Sequence, residues 1–216
     1  MPSMAWWTLS PLCSAAVGKS LDRHLRVRYS YQVIRGKEIG LRARYEADVA
    51  VLHKELYDDV AVRSGTDPRP WRPIAAGTDS PFSVTELSEE AASFSVVELQ
   101  TQALAGAAAL WGIDTHNRAA HLGLSLLPSF RGRGLGSDLV RTLCEYGFVV
   151  RGMQRLQVET LADNAAMIAA ARSAGFVIEG TLRHAAWVCG AFKDEVVLGL
   201  LADEWTSQGR ATAGSR

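Results

Sequence analysis

The feature that most limits what this chain can fold into is the stretch HLGLSLLPSFRGRGLGSDLV, His121 to Val140, where one backbone periodicity stops and another begins. Apolar residues first alternate, the period of a strand with one buried face. Leu122, Leu124 and Leu126 share one side, and His121, Gly123 and Ser125 share the other. Further on, Leu135, Leu139 and Leu143, with Val140, Cys144 and Phe148, recur at helical spacing and make a face broad enough for a buried helix. At the junction stand Gly132, Gly134 and Gly136, with Arg131 and Arg133 among them. Glycines between a strand and a helix let backbone N–H groups crowd toward a ligand, and the positive end of the helix dipole draws an anion there. The segment reads as a phosphate cradle. It is not a Walker A loop, because the required Lys and hydroxyl are missing after Gly132. Nor is it a dinucleotide fingerprint, which would need glycine where Ser137 stands.

The rest of the chain bounds the setting. A length of 216 residues with 48% hydrophobic content suits one domain with appendages. Lys+Arg and Asp+Glu both total 23, so no bulk field attracts nucleic acid or an anionic membrane, and neither is expected as a partner. The three cysteines, Cys13, Cys144 and Cys189, are odd in number and lack a C-x-x-C pair, which argues against a disulfide framework and a zinc site and for a reducing cytoplasm. The opening MPSMAWWTLSPLCSAAVGKS lacks a basic leader and is broken by Pro11, so no signal peptide is expected. Residues 1–30 read as an extension, either disordered or laid on the surface through Trp6 and Trp7; 31–206 read as the domain; 207–216 read as a disordered tail.

Within the domain, VIRGKEIGLRA reads as one strand, and Tyr45 to Tyr57 as a helix carrying Val49, Leu52 and Leu56. RSGTDPRPWRPIAAGTDSP holds four of the seven prolines and reads as a loop of functional length. Ser83 with Glu86 forms an S-x-x-E capping box that predicts a short helix through Ala92. FSVVELQ, LAGAAALWGID and AAHLGLSLLP, the last two joined by the polar turn THNR, predict an antiparallel meander. RLQVETL is a further strand, Asn164 caps a helix that ends before Gly175, and FVIEGTL and DEVVLGLLA close the sheet. Trp111, Trp187 and Trp205 read as packing residues.

The spacing Arg131-x-x-Gly134-x-Gly136 after a strand and Pro128 resembles the acyl-CoA pyrophosphate loop of the GNAT (GCN5-related N-acetyltransferase) superfamily. VETLADNAAMIAAARSAGFVIEGTLR and GAFKDEVVLGLL are similar to the family's later blocks, and the ordered match from about Tyr31 to Glu204 leans toward the RimJ/RimL-like branch. The resemblance implies a mixed α/β fold: a single, mostly antiparallel sheet of six to seven strands flanked by helices and splayed at the acyl-CoA site. It implies an N-acyltransferase that moves an acetyl group from acetyl-CoA to a primary amine by direct attack, with no metal, in a family where homodimers are common. Arg131, Gly132, Arg133, Gly134, Leu135, Gly136 and Ser137 would wrap the pyrophosphate. Leu126 and Leu127 would offer backbone groups to pantetheine, and Asn164 would be cap and ligand at once.

Two departures concern the chemistry. Where relatives carry a tyrosine or a serine that can protonate the departing thiolate, this chain has Ala171 and Met167. A non-catalytic acyl-CoA-binding module is therefore the rival reading; an RNA-binding role for RGRG is disfavoured by zero net charge and no interleaved aromatics. Counting back ten positions from Arg131 places His121 where GCN5-type members hold their general base; Glu98 and Glu159 are the alternatives. Trp71 in the proline-rich loop and Asp194 in GAFKD are the candidates for contacting the acceptor, against the plainer roles of loop anchor and turn residue. Cys144 reads as core packing rather than as a nucleophile, and Cys189 as a hairpin residue.

Overall fold

The computed structural model describes residues 33–205 apart from 66, 68 and 87. The expected extension 1–30, with Trp6, Trp7 and Cys13, the domain-edge residues 31, 32 and 206, and the tail 207–216 lie outside the described residues. Eight strands form one sheet: β1 (Val33–Arg35), β2 (Ile39–Ala43), β3 (Ala91–Glu98), β4 (Leu104–Asp114), β5 (Ala119–Leu126), β6 (Arg155–Leu161), β7 (Val177–Val188) and β8 (Ala191–Leu201). Their order is β1-β2-β3-β4-β5-β6-β8-β7. The helices are α1 (Glu46–Leu56), α2 (Val60–Ser64), α3 (Leu135–Glu145) and α4 (Ala165–Ser173). Every strand pairing is antiparallel except β5 with β6.

The amphipathic pattern of α3 dictates where the main core sits. Leu139, Val140, Leu143 and Cys144 are fully buried against Leu110, Leu122, Leu156 and Leu198 from the sheet, with Ala170 and Ala171 of α4 beside them. Burying each such leucine contributes about 1.5–3 kcal/mol. Burial also pushes the Cys144 thiol far up, which fits core packing and removes it as a nucleophile. Leu52 and Leu56 of α1 pack instead with Ala107 and Leu127, a smaller second cluster.

Two carboxylates tie distant elements together. Asp138, in the first turn of α3, accepts the main-chain N–H groups of Lys37 (2.9 Å), Glu38 (2.8 Å) and Ile39 (3.1 Å), so the helix carries the turn between β1 and β2. Gly36 opens that turn because a β-carbon there would meet Thr142 and Asp138 at 2.4 and 2.8 Å. The single expected strand is therefore a hairpin, and the sheet has eight strands rather than six to seven. Asp48, buried in the first turn of α1, takes both guanidinium nitrogens of Arg42 (2.6 and 2.8 Å), the Ser95 hydroxyl (2.8 Å) and the Tyr45 N–H (2.9 Å).

The helix expected from Ser83 to Ala92 does not form among the described residues: 83–86 and 88–90 are irregular and β3 starts at Ala91, which pairs with Trp111. Strand pairing with β4 claims the C-terminal end of this stretch, Ala91 and Ala92. Of the expected packing tryptophans, Trp205 packs beside the core with Phe148, whereas Trp111 and Trp187 are largely exposed.

Asp48→Ala is expected to lower the unfolding free energy by about 3 kcal/mol, the cost of stranding a buried ionic partner, read as a shift of the urea midpoint at unchanged slope. Burial pushes the Asp48 carboxyl up, but hydrogen bonds from Arg42, Tyr45 and Ser95 outweigh this and hold it below its ordinary value. Its contribution is therefore complete above the unfolded-state pKa of about 3.9 and is lost as pH falls through the lower folded value.

Candidate active site

β5 and β6 run side by side only from Ala119 with Arg155 to His121 with Gln157, and then separate. The N–H of Leu127 bonds the carbonyl of Ala105 at 2.9 Å, and the β4–β5 register fixes which way every other group on β5 points. By antiparallel alternation, the main-chain groups of Leu124 and Leu126 turn from β4 into the gap beside β6. Of these, the Leu126 carbonyl accepts Arg131 Nε at 2.9 Å. Both main-chain groups of Leu127 are used internally, its N–H by Ala105 and its carbonyl by the Phe130 N–H. Leu127 thus turns its main-chain groups to β4 and to the following turn, while those of Leu124 and Leu126 face the gap.

The gap leads to the glycine segment. Gly132 (φ +72°) and Gly134 (φ +78°) adopt left-handed backbone, Gly134 caps α3, and open space surrounds the positions where their β-carbons would be. Among the described residues no carbonyl accepts the N–H of Gly132, Arg133 or Gly134. The first turn of α3 adds the N–H groups of Leu135, Gly136 and Ser137, which have no partner inside the helix. Gly136 also lets α4 approach: its β-carbon would sit 3.6 Å from Ala170 Cβ. This is a concave row of donors at a helix N-terminus, suited to a pyrophosphate.

Where the two strands part, His121 stacks under Trp111, ring centroids 4.2 Å apart, and its Nδ1 lies 3.6 Å from Glu159 Oε1. That nitrogen is enclosed and has no hydrogen-bond partner. Gln157 Nε2 donates to the same glutamate oxygen at 2.7 Å, and Arg155 holds Gln157 Oε1 at 2.9 Å while pairing with Glu179. Two of the three candidate bases thus meet at the mouth of a gap that ends in an anion cradle.

A family profile described as the acetyltransferase (GNAT) domain matches residues 38–177. The chain belongs to this family. Over 172 residues, 74% of this chain and 97% of the relative, it is 27% identical to the uncharacterized N-acetyltransferase p20 of Bacillus licheniformis. Its fold is similar to that of spermidine N-acetyltransferase from Vibrio cholerae in complex with CoA and spermine, at TM-score 0.67 and 20% identity, covering 78% of this chain and 98% of the other. It is also similar to RimL, the ribosomal L7/L12 alpha-N-protein acetyltransferase in complex with coenzyme A, at TM-score 0.64 and 24% identity, covering 80% and 99%. The protein is an acetyltransferase of the GNAT family.

Other expected site residues of the acetyltransferase sit differently. Glu98 pairs with Arg133, and the Thr101 hydroxyl donates to it at 2.6 Å. The Thr101 bond, then Arg133, holds its carboxyl below the ordinary glutamate range. Glu98 is thus tied to the glycine segment by Arg133, which also lies over the Phe130 ring. Arg131 keeps its terminal amino groups without an acceptor among the described residues. Asn164 caps α4, its Oδ1 accepting the Met167 N–H at 3.2 Å and its Nδ2 donating to Thr160 at 2.9 Å. Ala171 is fully buried and Met167 packs on the core, so both positions serve packing.

The proline-rich loop is fastened to α1 through residues that sequence reasoning missed. Trp71 Nε1 donates to the Tyr57 carbonyl (3.1 Å), and the Tyr57 hydroxyl donates to the Arg72 carbonyl (2.9 Å). His53 meets Ser80 Oγ (2.8 Å), the Ile74 carbonyl (3.0 Å) and Asp58 (3.2 Å). That Ser–His–Asp trio is not a nucleophile relay: Ser80 and His53 are 3% and 1% exposed, and no substrate reaches them. Trp71 anchors the loop, beside an open hollow of about 330 Å³ lined by Tyr57, Arg69, Arg72 and Asp79. Asp194 accepts the His184 N–H at 2.8 Å and secures a bulge where His184 takes φ +52°.

Gly134→Val is expected to weaken CoA binding at least tenfold in titration calorimetry while circular dichroism stays native. A branched residue is strained at φ +78° and would fill the open space over the cradle.

Proposed function

We propose that the acetyltransferase binds acetyl-CoA with its pyrophosphate on Gly132–Ser137 and Arg131, and its pantetheine along the unpaired edge of β5. A primary amine then attacks the thioester directly, without a covalent enzyme intermediate. The observation that carries this reading is the opening between β5 and β6 with His121 and Glu159 at its apex. The co-substrate supplies an activated acyl group on a good leaving group. A thiolate departs without protonation more readily than an alkoxide, which accommodates the apolar residues at 167 and 171.

The chain's own residues handle charge and protons. An alkyl amine arrives as an ammonium ion and must lose a proton before it can attack. Glu159 is the more reachable group of the pair and takes the ammonium; His121 stands behind it, and an imidazole is the stronger base of the two classes. The proton passes to His121 Nδ1, whose imidazolium Glu159 then stabilises, while Trp111 and Gln157 hold the two side chains in place. Unpaired β5 N–H groups polarise the thioester carbonyl. The free thiols Cys144 and Cys189 support a reducing cytoplasm as the working compartment, and the exposed Val177, Ile178 and Leu182 on edge strand β7 support a homodimer.

His121→Ala is expected to lower kcat/KM for the accepted amine by about a hundredfold at neutral pH, with CoA affinity unchanged. An acetyl-CoA consumption assay across pH decides it: a mutant whose pH–rate profile matches the wild type overturns the role.

A further inference from the structure

Glu195 on β8 was not singled out by the sequence. It pairs with Leu161 of β6 and Leu182 of β7, while Glu159 pairs with Val197, so the two glutamates are diagonal neighbours on one face of the sheet. Their α-carbons are about 7 Å apart by that register. Glu195 is 9% exposed, and among the described residues no hydrogen bond or ion pair reaches its carboxylate. The other strand carboxylates are all served: Glu98 by Arg133, Asp114 by Asn117, Glu179 by Arg155, Asp194 by the His184 N–H. The lysine nearest in sequence, Lys193, is spent on Asp163. A carboxylate on a largely buried residue with a second carboxylate beside it and no cation is destabilised by that neighbour. Burial, then Glu159, raises the Glu195 carboxyl above the ordinary glutamate range.

We propose that Glu195 and Glu159 together form the anionic seat of the acceptor, and that Glu195 selects amines carrying a second positive charge about four methylenes from the reacting nitrogen. This rests on the transferase reading above. The reacting ammonium sits at Glu159, within reach of His121, and the distal cation sits at Glu195. Such an acceptor supplies the missing counter-charge and pays the desolvation cost that the folded chain leaves open. A monoamine leaves Glu195 unpaired, and an amine with a distal carboxylate places three negative groups together.

The experiment compares 1,4-diaminobutane, 1-aminobutane and 4-aminobutanoate as acceptors at saturating acetyl-CoA, for the wild type and for Glu195→Gln. The expected result is a wild-type kcat/KM roughly tenfold or more higher for the diamine than for the monoamine, the worth of one charged hydrogen bond, with the carboxylate-bearing amine poorest. In Glu195→Gln the diamine's advantage should fall to near onefold through KM, with CoA affinity at the wild-type value. The amide is isosteric and relieves the repulsion with Glu159, so its Tm at neutral pH should not fall. Wild-type turnover without preference for the dication, or a preference that survives in a folded Glu195→Gln, overturns the proposal alone. Acetylation of none of these amines, nor of peptides with a free N-terminus or lysine, overturns the transferase mechanism and this inference with it.

Discussion

The three-residue length of the parallel contact between β5 and β6 is the constraint on which the rest of the site depends. A strand that leaves its partner inside a sheet exposes a row of N–H and C=O groups that the fold does not satisfy, and such groups are costly unless something pairs with them. Past His121 that row belongs to Leu124 and Leu126, the Leu126 carbonyl taking Arg131 Nε, and it ends at the glycine segment, where among the described residues no carbonyl accepts the N–H of Gly132, Arg133 or Gly134. One continuous line of unsatisfied donors therefore runs from the apex of the split to the N-terminus of α3. An extended polar chain ending in phosphates satisfies it along its length.

The side chains around the line are divided by charge pairing. Arginines 42, 133 and 155 are each held by a carboxylate, and each pair steadies something structural: the start of α1, the glycine segment and the row of polar residues on β6. Not held by any of these arginines are His121, Glu159 and Glu195, with His121 stacked on the exposed ring of Trp111 and Glu159 between the other two. Residues occupied with each other build the frame, and residues left short of partners face the chemistry.

Glu98 and Glu159 illustrate how far residue type alone can carry a functional argument. Both are glutamates on strands near the glycine segment, and nothing in their sequence surroundings separates a base from a strut. Arg133, 35 residues away, pairs with Glu98, whereas Glu159 lies beside His121. His121 is named by the ten-residue offset to Arg131 that the family resemblance implies, and strand periodicity gives only the face it shares with Gly123 and Ser125. Its companion Glu159 was only one option among several until the parallel pairing set Gln157 opposite His121 and brought Glu159 next to it.

What the sequence by itself determined is what depends on neighbours along the chain. The bounds of β4 and β6, the Asn164 cap, the left-handed Gly132 and Gly134 and the buried face of α3 all follow from periodicity, capping and φ preferences acting over a few residues. What only the tertiary structure decided depends on partners far away. Asp138 holds a turn 101 residues distant, and the His53 anchor of the proline-rich loop reaches 27 residues to Ser80. The loss of the expected helix after Ser83 to strand pairing has the same origin. A lone carboxylate or imidazole in a sequence has no direction until the sheet register gives it one, and Glu195 acquired its meaning only when β8 came to lie between β6 and β7.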